Sequence, residues 1–592
     1  MFSSTEMLQA SRGKIPAKLV LKNAVVLNVF TKEWLTQDVA VWDDRIIGVG
    51  RYEGREEIDL TGKYLVPGFF DAHVHIESSM LTPAAFAAEI LPFGTTTILA
   101  DPHELANVSG EKGIRWLLEE IKRLPLNGYV MLPSCVPATE LDDSGARLEA
   151  EDLLPLREDP SVLGLGEFMN VSGVCAGEEK ALAKLRAFQD RVIDGHAPGL
   201  LGKDLQAYLL AGVSTDHECS EPEEALEQLR SGMNLMIRRG SGAKNGETLI
   251  STLLDSRVSA ERVCFCTDDK HVEDIRREGH ISSNIREAIH LGMDPAEAYA
   301  MASFNAARMY GLSHLGAIGS GYQADLVVLD DLEEVSVDSV YWKGKLVSRK
   351  GERPAVGKRT VPGFLLDTVQ LRPVRREQLR LSCPDGAAHV AQVIPHQILT
   401  RHRVCQVPCT SGEFQPDRHF QKVAVVERHR GTGRVGIGVV EGFFLHGAIA
   451  STVAHDSHNL IAVGDNDQDI LLGIQALEKA GGGYCLARDG KLLEVLPLPV
   501  CGLLTQEPTE QVQRALANMK KLCVEMGMPE ELDPFQTLSF LSLPVLPEIR
   551  ITDRGVFDSV EYRYLEACSS PAGLSSEEKL PICLVSISTI EK

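Results

Sequence analysis

The chain has 592 residues, which at about 150 residues per domain leaves room for roughly two to four domains. Hydrophobic residues make up 44% and charged residues 24%, a balance that builds packed cores and excludes wholesale disorder. Sixty basic against 83 acidic side chains give a net charge of −23, which repels phosphate backbones and anionic membranes, so neither nucleic acid nor membrane is expected as a partner.

The opening MFSSTEMLQASRGKIPAKLV has no apolar core for a signal peptide, and no stretch approaches the ~18 uncharged apolar residues of a membrane span. A soluble, cytoplasmic protein is expected. The 13 cysteines are scattered and odd in number, and are read as reduced packing thiols. Cys264 and Cys266 alternate on a buried strand, while Cys405 and Cys409 lack a second pair to complete a zinc knuckle.

Leu19 to Ile58 reads as short alternating strands separated by polar turns. From Tyr64 the rhythm changes. Eight apolar runs follow: YLVPGFFDAHVH, TTTILAD, GYVMLPS, VLGLGEF, VIDGHAP, AGVSTDH, LMIRRG and VCFCTDD. Amphipathic segments such as GEKGIRWLLEEIKRL and EPEEALEQLRSG lie between them, and strands alternating with helices imply parallel pairing. Eight such units predict an α/β fold, a (β/α)8 TIM-like barrel. Each run ends in a polar residue, on the rim where barrel active sites assemble.

After DPAEAYAMASFNAARMYGL, the strands ADLVVLD and VDSVYWKGKLV return and should pair with the opening segment, so the small β domain is split around the barrel. From Val361 onward, strands such as QKVAVVERH and the helix DQDILLGIQALEKA indicate a C-terminal α+β domain, with Gly481 to Gly483 as a turn. The expected boundaries are 1–66, 67–306, 307–360 and 361–592, the first and third being the two parts of the small domain.

His73-Val74-His75 is the strongest chemical signal. Residues i and i+2 of a strand share a face, so both imidazoles can meet one metal ion. Glu167, His196, His217 and Asp268 stand at later strand ends. Four histidines and two carboxylates on one rim suit two divalent ions. Strand alternation would aim the neighbouring Asp269 at the opposite face. Asp101-Pro102-His103-Glu104 reads either as a helix cap, with Asp101 capping and Glu104 at the third helical position, or as a substrate-contacting loop. Glu77, Ser78 and Ser79 read as a loop start or a pocket wall. His455-Asp456-Ser457-His458-Asn459 reads as a polar inter-domain contact or as a reach over the active site. His271, His280 and His290 read as surface or cap groups, and Asp325 as a turn residue.

PGFFDAHVHIESS, the single histidines that follow, the Asp after the last barrel strand and the tail formed by Gly316, Ile318, Gly319, Gly321, Ala324 and Asp325 resemble the amidohydrolase superfamily. More narrowly, HVHIESSM, GTTTILADPHELANVSG, LGLGEFMN, DGHAPGL, STDHEC and CTDD, with AHDSHN, LPLPVCGLL and LPEIRIT, resemble the bacterial adenine deaminase family over nearly the whole chain. The resemblance implies that His73, His75 and Asp268 hold one metal, that His196 and His217 hold the second, and that Glu167 bridges them. It implies manganese or iron, and the ligand set would also accept zinc. It implies hydrolysis of adenine to hypoxanthine and ammonia by a metal-bound hydroxide, with Asp268 shuttling the proton. It also turns the Asp101–Glu104 loop toward the ligand, with Glu104 and Asp101 both open as the acid that protonates the purine ring. A homodimer is the assembly considered. The rivals are another amidohydrolase, acting on a different heterocycle or a cyclic amide, and a non-catalytic barrel relative.

Overall fold

Alternating apolar residues build the first strands, β1 (Ala17–Asn28), β2 (Glu33–Trp42), β3 (Arg45–Gly50), β4 (Gly54–Asp59) and β5 (Tyr64–Pro67). β1 is antiparallel to β2 and parallel to β4 and β5. The structure is a computed structural model that describes residues 4–568 apart from 356, 358, 396 and 398. It divides into two units: one holds the described residues of 1–106, 110–136 and 148–360, the other those of 107–109, 137–147 and 361 onward.

The eight apolar runs become β6 (Phe69–Val74), β7 (Thr95–Ala100), β8 (Asn127–Leu132), β9 (Val162–Phe168), β10 (Val192–Gly195), β11 (Thr215–Asp216), β12 (Asn234–Arg238) and β13 (Val263–Cys266). β6 to β10 form one parallel sheet and β11 to β13 another. The Ser214 N–H donates to the Ile193 carbonyl (3.0 Å), joining the two. The ring closes where the Asp268 N–H donates to the His73 carbonyl (2.9 Å) and the His75 N–H to that of Asp268 (3.3 Å). The seam of the barrel therefore lies between candidate ligands. All six residues of β6 and of β7 are buried, as expected for parallel strands covered on both faces.

β14 (Leu326–Asp331), β15 (Ser336–Trp342) and β16 (Lys345–Arg349) complete the small β domain, with β14 antiparallel to β5. The split expected from the sequence is present. Asp325, at the entry to β14, is more than a turn residue. It is buried and accepts from Asn127 Nδ2 (2.6 Å), Gln323 Nε2 (2.8 Å) and the Lys343 N–H (2.9 Å).

In the second unit, β17 (Ala387–Val393), β18 (Thr400–Gln406), the hairpin β19 (Cys409–Thr410) and β20 (Glu413–Phe414), β21 (Phe420–Val426), β22 (Val435–Glu441), β23 (Ala448–Ser451), β24 (Leu460–Gly464), β25 (Gly483–Arg488) and β26 (Lys491–Pro497) follow. All but the hairpin form one eight-stranded sheet, covered by the helix Asp467–Ala480 through Ile470, Ile474 and Leu477. Asn466 caps that helix by accepting from the Asp469 N–H. Gly481, at φ 75°, ends it and turns the chain into β25. Within this unit the His455–Asn459 segment stacks the His455 ring on Phe540 (4.6 Å) and joins Asn459 Nδ2 to the Asp143 carbonyl (2.8 Å). Among the described residues no helix is long and apolar enough to cross a membrane.

Candidate metal centre

His73 lies in β6 and His75 just beyond it, and their Nε2 atoms approach to 3.2 Å. His75 Nδ1 is 2.9 Å from the Asp101 carbonyl, which only accepts, so Nδ1 carries a proton and Nε2 is the ring atom turned toward Glu167 and Asp268. Glu167, in β9, faces two pairs of histidines with its two oxygens. Oε1 lies 3.4 Å from His75 Nε2 and 3.9 Å from His73 Nε2. Oε2 lies 2.7 Å from His196 Nδ1 and 3.4 Å from His217 Nε2. Asp268 Oδ1 is 3.2 Å from His75 Nε2, and the His73 and His217 rings stack at 4.1 Å. The overlapping groups His73–His75–Glu167, Glu167–His196–His217 and His73–His217–Asp268 are capable of holding one or two divalent ions. Imidazole nitrogens with a shared carboxylate are the donor set that such ions take.

The electrostatics favour positive charge at this centre. Burial opposes ionisation of Glu167, yet hydrogen bonds from His103, His196, His217 and His75 hold its carboxyl well below the usual range. Asp268 is likewise held well below its ordinary value against burial, with Arg238 leading the groups responsible. Arg238 Nη1 reaches Asp268 Oδ2 at 2.6 Å, and its Nη2 reaches Glu218 Oε2 at 2.9 Å. Burial lowers the His217 imidazole, but Glu167 outweighs it and raises the group to about 9.

The chain matches the Amidohydrolase family over residues 64–347 and the Adenine deaminase C-terminal domain over residues 397–563. The adenine deaminase of Desulfitobacterium hafniense (strain Y51) is 48% identical over 556 residues, covering 94% of this chain and 97% of that protein. This chain belongs to the adenine deaminase family. Within the metal-dependent amidohydrolases, further relatives are the adenine deaminases of Clostridium acetobutylicum (44% over 572 residues, 95% of this chain and 100% of that one) and Bacillus pumilus (45% over 565 residues, 94% and 98%).

In this adenine deaminase family member, all six expected ligands converge, and three neighbours join them that the sequence reading passed over. His103 Nδ1 stands 3.2 Å from Glu167 Oε1, while Glu218 and Arg238 close the far side. Arg238 ends the seventh apolar run, so the strand-end rule that found the other residues would have found it too. His103 lies beside Asp101 and Glu104 in DPHELANVSG, and Glu218 follows His217 in STDHEC.

Several readings are corrected. The helix His103–Ile121 has Pro102, not Asp101, at its cap position, which leaves Glu104 second in the helix. Asp101 instead accepts the Glu167 N–H through Oδ2 (2.9 Å). That approach requires Gly166, where a Cβ would come within 2.1 Å of the same oxygen. Glu77 supplies the capping contact, its Oε1 accepting from the Leu105 N–H (3.2 Å). Asp269 does not point away. Asp268 adopts φ 56°, strand alternation ends there, and both carboxylates group with His75. His280 occupies a cap position, but its ring is buried, 3.1 Å from Asp71 Oδ2 and 2.9 Å from Thr95 Oγ1. His290 is a surface group beside Glu334, as expected.

Proposed function

We propose that this chain is an adenine aminohydrolase that converts adenine and water to hypoxanthine and ammonia in the cytoplasm. The observation that carries the reading is Glu167, one carboxylate shared by two histidine pairs on the rim of a barrel whose chain is 48% identical to an adenine deaminase. His73, His75 and Asp268 would hold one cation, His196 and His217 the other, and Glu167 both. Manganese or iron is the expected metal, and zinc also suits the donors. When bound, the cations supply an acidified water for attack at C6 of the purine.

The side chains do the rest. Asp268 is anchored by Arg238 through Oδ2 and kept ionised, so its Oδ1 is placed to take a proton and return it to the departing amine. The ring nitrogen beside C6 needs an acid. Glu104 is favoured over Asp101, because Asp101 is engaged by the Glu167 N–H while Glu104 lies against Glu77. Burial and the Glu104 charge raise Glu77 to about 7, so this carboxyl pair retains a proton near neutrality. The domain boundaries proposed with this reading are 1–66, 67–306, 307–360 and 361–592.

The test is adenine turnover with ammonia release in manganese-supplemented and chelated enzyme. Metal-dependent production of hypoxanthine is expected, with adenosine and its monophosphate turned over far more slowly. Comparable specificity constants for adenosine would overturn the free-base assignment. A ring-opened acid from a cyclic amide, with adenine untouched, would favour the rival amidohydrolase.

A further inference from the structure

The cysteine pair Cys405/Cys409, which has no zinc-knuckle partner in its own stretch of sequence, gains partners in the fold of the second unit. Ser382 forms a β-bridge with Glu413, and the Cys383 N–H donates to the Gly412 carbonyl (2.8 Å), which seats Cys383 beside the β19–β20 hairpin that carries Cys409. The His389 N–H donates to the Ala567 carbonyl (2.9 Å), which brings Cys568 alongside β17. Cys409 and Cys568 pack against the buried cluster that holds Cys383, whose thiol donates to the Ala387 carbonyl (3.5 Å). Cys405 belongs to the same packed cluster. Cys383 and Cys405 are buried, while Cys409 and Cys568 are only half-buried, so the cluster has an approach from solvent.

We propose that Cys383, Cys409 and Cys568 form a thiolate site for a soft divalent cation of the zinc class, with Cys405 as the candidate fourth ligand. Convergent sulfur donors from separate segments are what a tetrahedral zinc site requires. A disulfide would use only two of the three clustered thiols, and packing alone gives no reason to gather thiols rather than methyl groups. The local backbone suits the role. Cys383 heads a tight turn closed by Gly386 at φ 68°, and Cys409 lies in β19 opposite Phe414, one residue before the turn through Ser411 and Gly412. Binding replaces three S–H protons, released to solvent, by three sulfur–metal bonds, and a 2+ ion with three thiolates leaves the site at −1. Affinity therefore rises with pH. The cation would tie together three segments far apart in the chain and limit their separation in the unfolded state.

The test is cobalt(II) loading of the reduced, full-length holoprotein. Histidine and carboxylate ligands give no sulfur-to-cobalt charge-transfer absorption, so this near-ultraviolet band reports thiolates separately from the barrel centre. The wild type should show the band and hold one more cation per chain than either Cys409→Ser or Cys568→Ser, both of which should lose the band. Cys523→Ser, on the helix Thr509–Glu525, should leave band and metal content unchanged. Absence of the band in reduced wild-type protein overturns the proposal, as does a band that survives both substitutions. A native disulfide between two of the three cysteines, found by mass spectrometry, overturns it as well.

Discussion

Arg428 and Arg550, in the second unit, are fully buried, and each guanidinium donates its hydrogen bonds to neutral acceptors. Arg428 donates to the carbonyls of His458 and Cys501, the latter at 3.0 Å. Arg550 donates to Thr400 Oγ1 (2.8 Å) and to the carbonyls of Pro547 (2.5 Å) and Leu546 (3.3 Å). The barrel rim of the first unit is built the opposite way. There the Nε2 atoms of His73 and His75, 3.2 Å apart, both face Glu167 and Asp268, so groups able to ligate a metal converge on one another. In the second unit the buried cations are part of the chain and complete their own hydrogen bonds. On the rim the Arg238 guanidinium meets Asp268 and Glu218, and the imidazoles and Glu167 converge in overlapping groups that can hold a cation. A saturated buried charge is a structural element, whereas convergent lone pairs mark a ligand site.

The largest break of this contrast is Glu167→Gln. It keeps the shape and removes the charge that both histidine pairs share. Elemental analysis should show loss of at least one metal, and deamination should all but vanish. His196→Ala should behave similarly, whereas His290→Ala, beside Glu334 on the surface, should lose neither metal nor turnover. Full metal content and activity in Glu167→Gln would place the bridge elsewhere.

Asp268→Asn comes next. The histidines should retain most of the metal, but turnover should fall by about 10²–10⁴-fold, the range for a lost proton shuttle. Asp269→Asn should cost less, because Asp269 meets the Ser78 hydroxyl while Asp268 is the carboxylate fixed by Arg238. A larger turnover defect in Asp269→Asn, with metals in place, would reverse the two roles.

On the other side of the comparison, Arg428→Met leaves buried carbonyls of His458 and Cys501 without their donor. Each should cost about 1–3 kcal/mol in denaturant unfolding, with the metal content of the folded protein unchanged. A neutral result would show that the guanidinium does not carry the stability assigned to it.

The last effect is one of pH. Burial raises the Asp142 carboxyl to about 7; the Ser457 hydrogen bond opposes this, and the Asp553 and Asp456 charges add to it. The folded pKa exceeds the unfolded value of 3.8, so the native state binds the proton more tightly. That contribution is present below about pH 4 and is lost as pH rises to about 7. Asp142→Asn has no such titration and should gain stability relative to wild type across that interval, levelling off above it. Thermal midpoints measured against pH check this, and parallel curves for the two proteins would refute it.

The sequence by itself determined the eight barrel strands, the split small domain and the six candidate ligands that converge on the rim. Parallel strands covered on both faces appear as unbroken apolar runs, and the polar residue that ends each run must emerge at one rim. Motif spacing did the same for His73 and His75, whose convergence needs only the two-residue period of a strand. Only the tertiary structure decided the partners. The cap of the helix His103–Ile121 comes from Glu77 in another loop, and Asp269 shares a cluster with Asp268 because the chain turns left-handed at the barrel seam. His280 meets Asp71 across a long stretch of chain, and Cys383 and Cys568 reach the β19 hairpin through pairings of separate strands. Periodicity records the local geometry of one element. Which hydrogen-bond donor meets which acceptor across elements depends on packing between distant segments, and no local pattern encodes it.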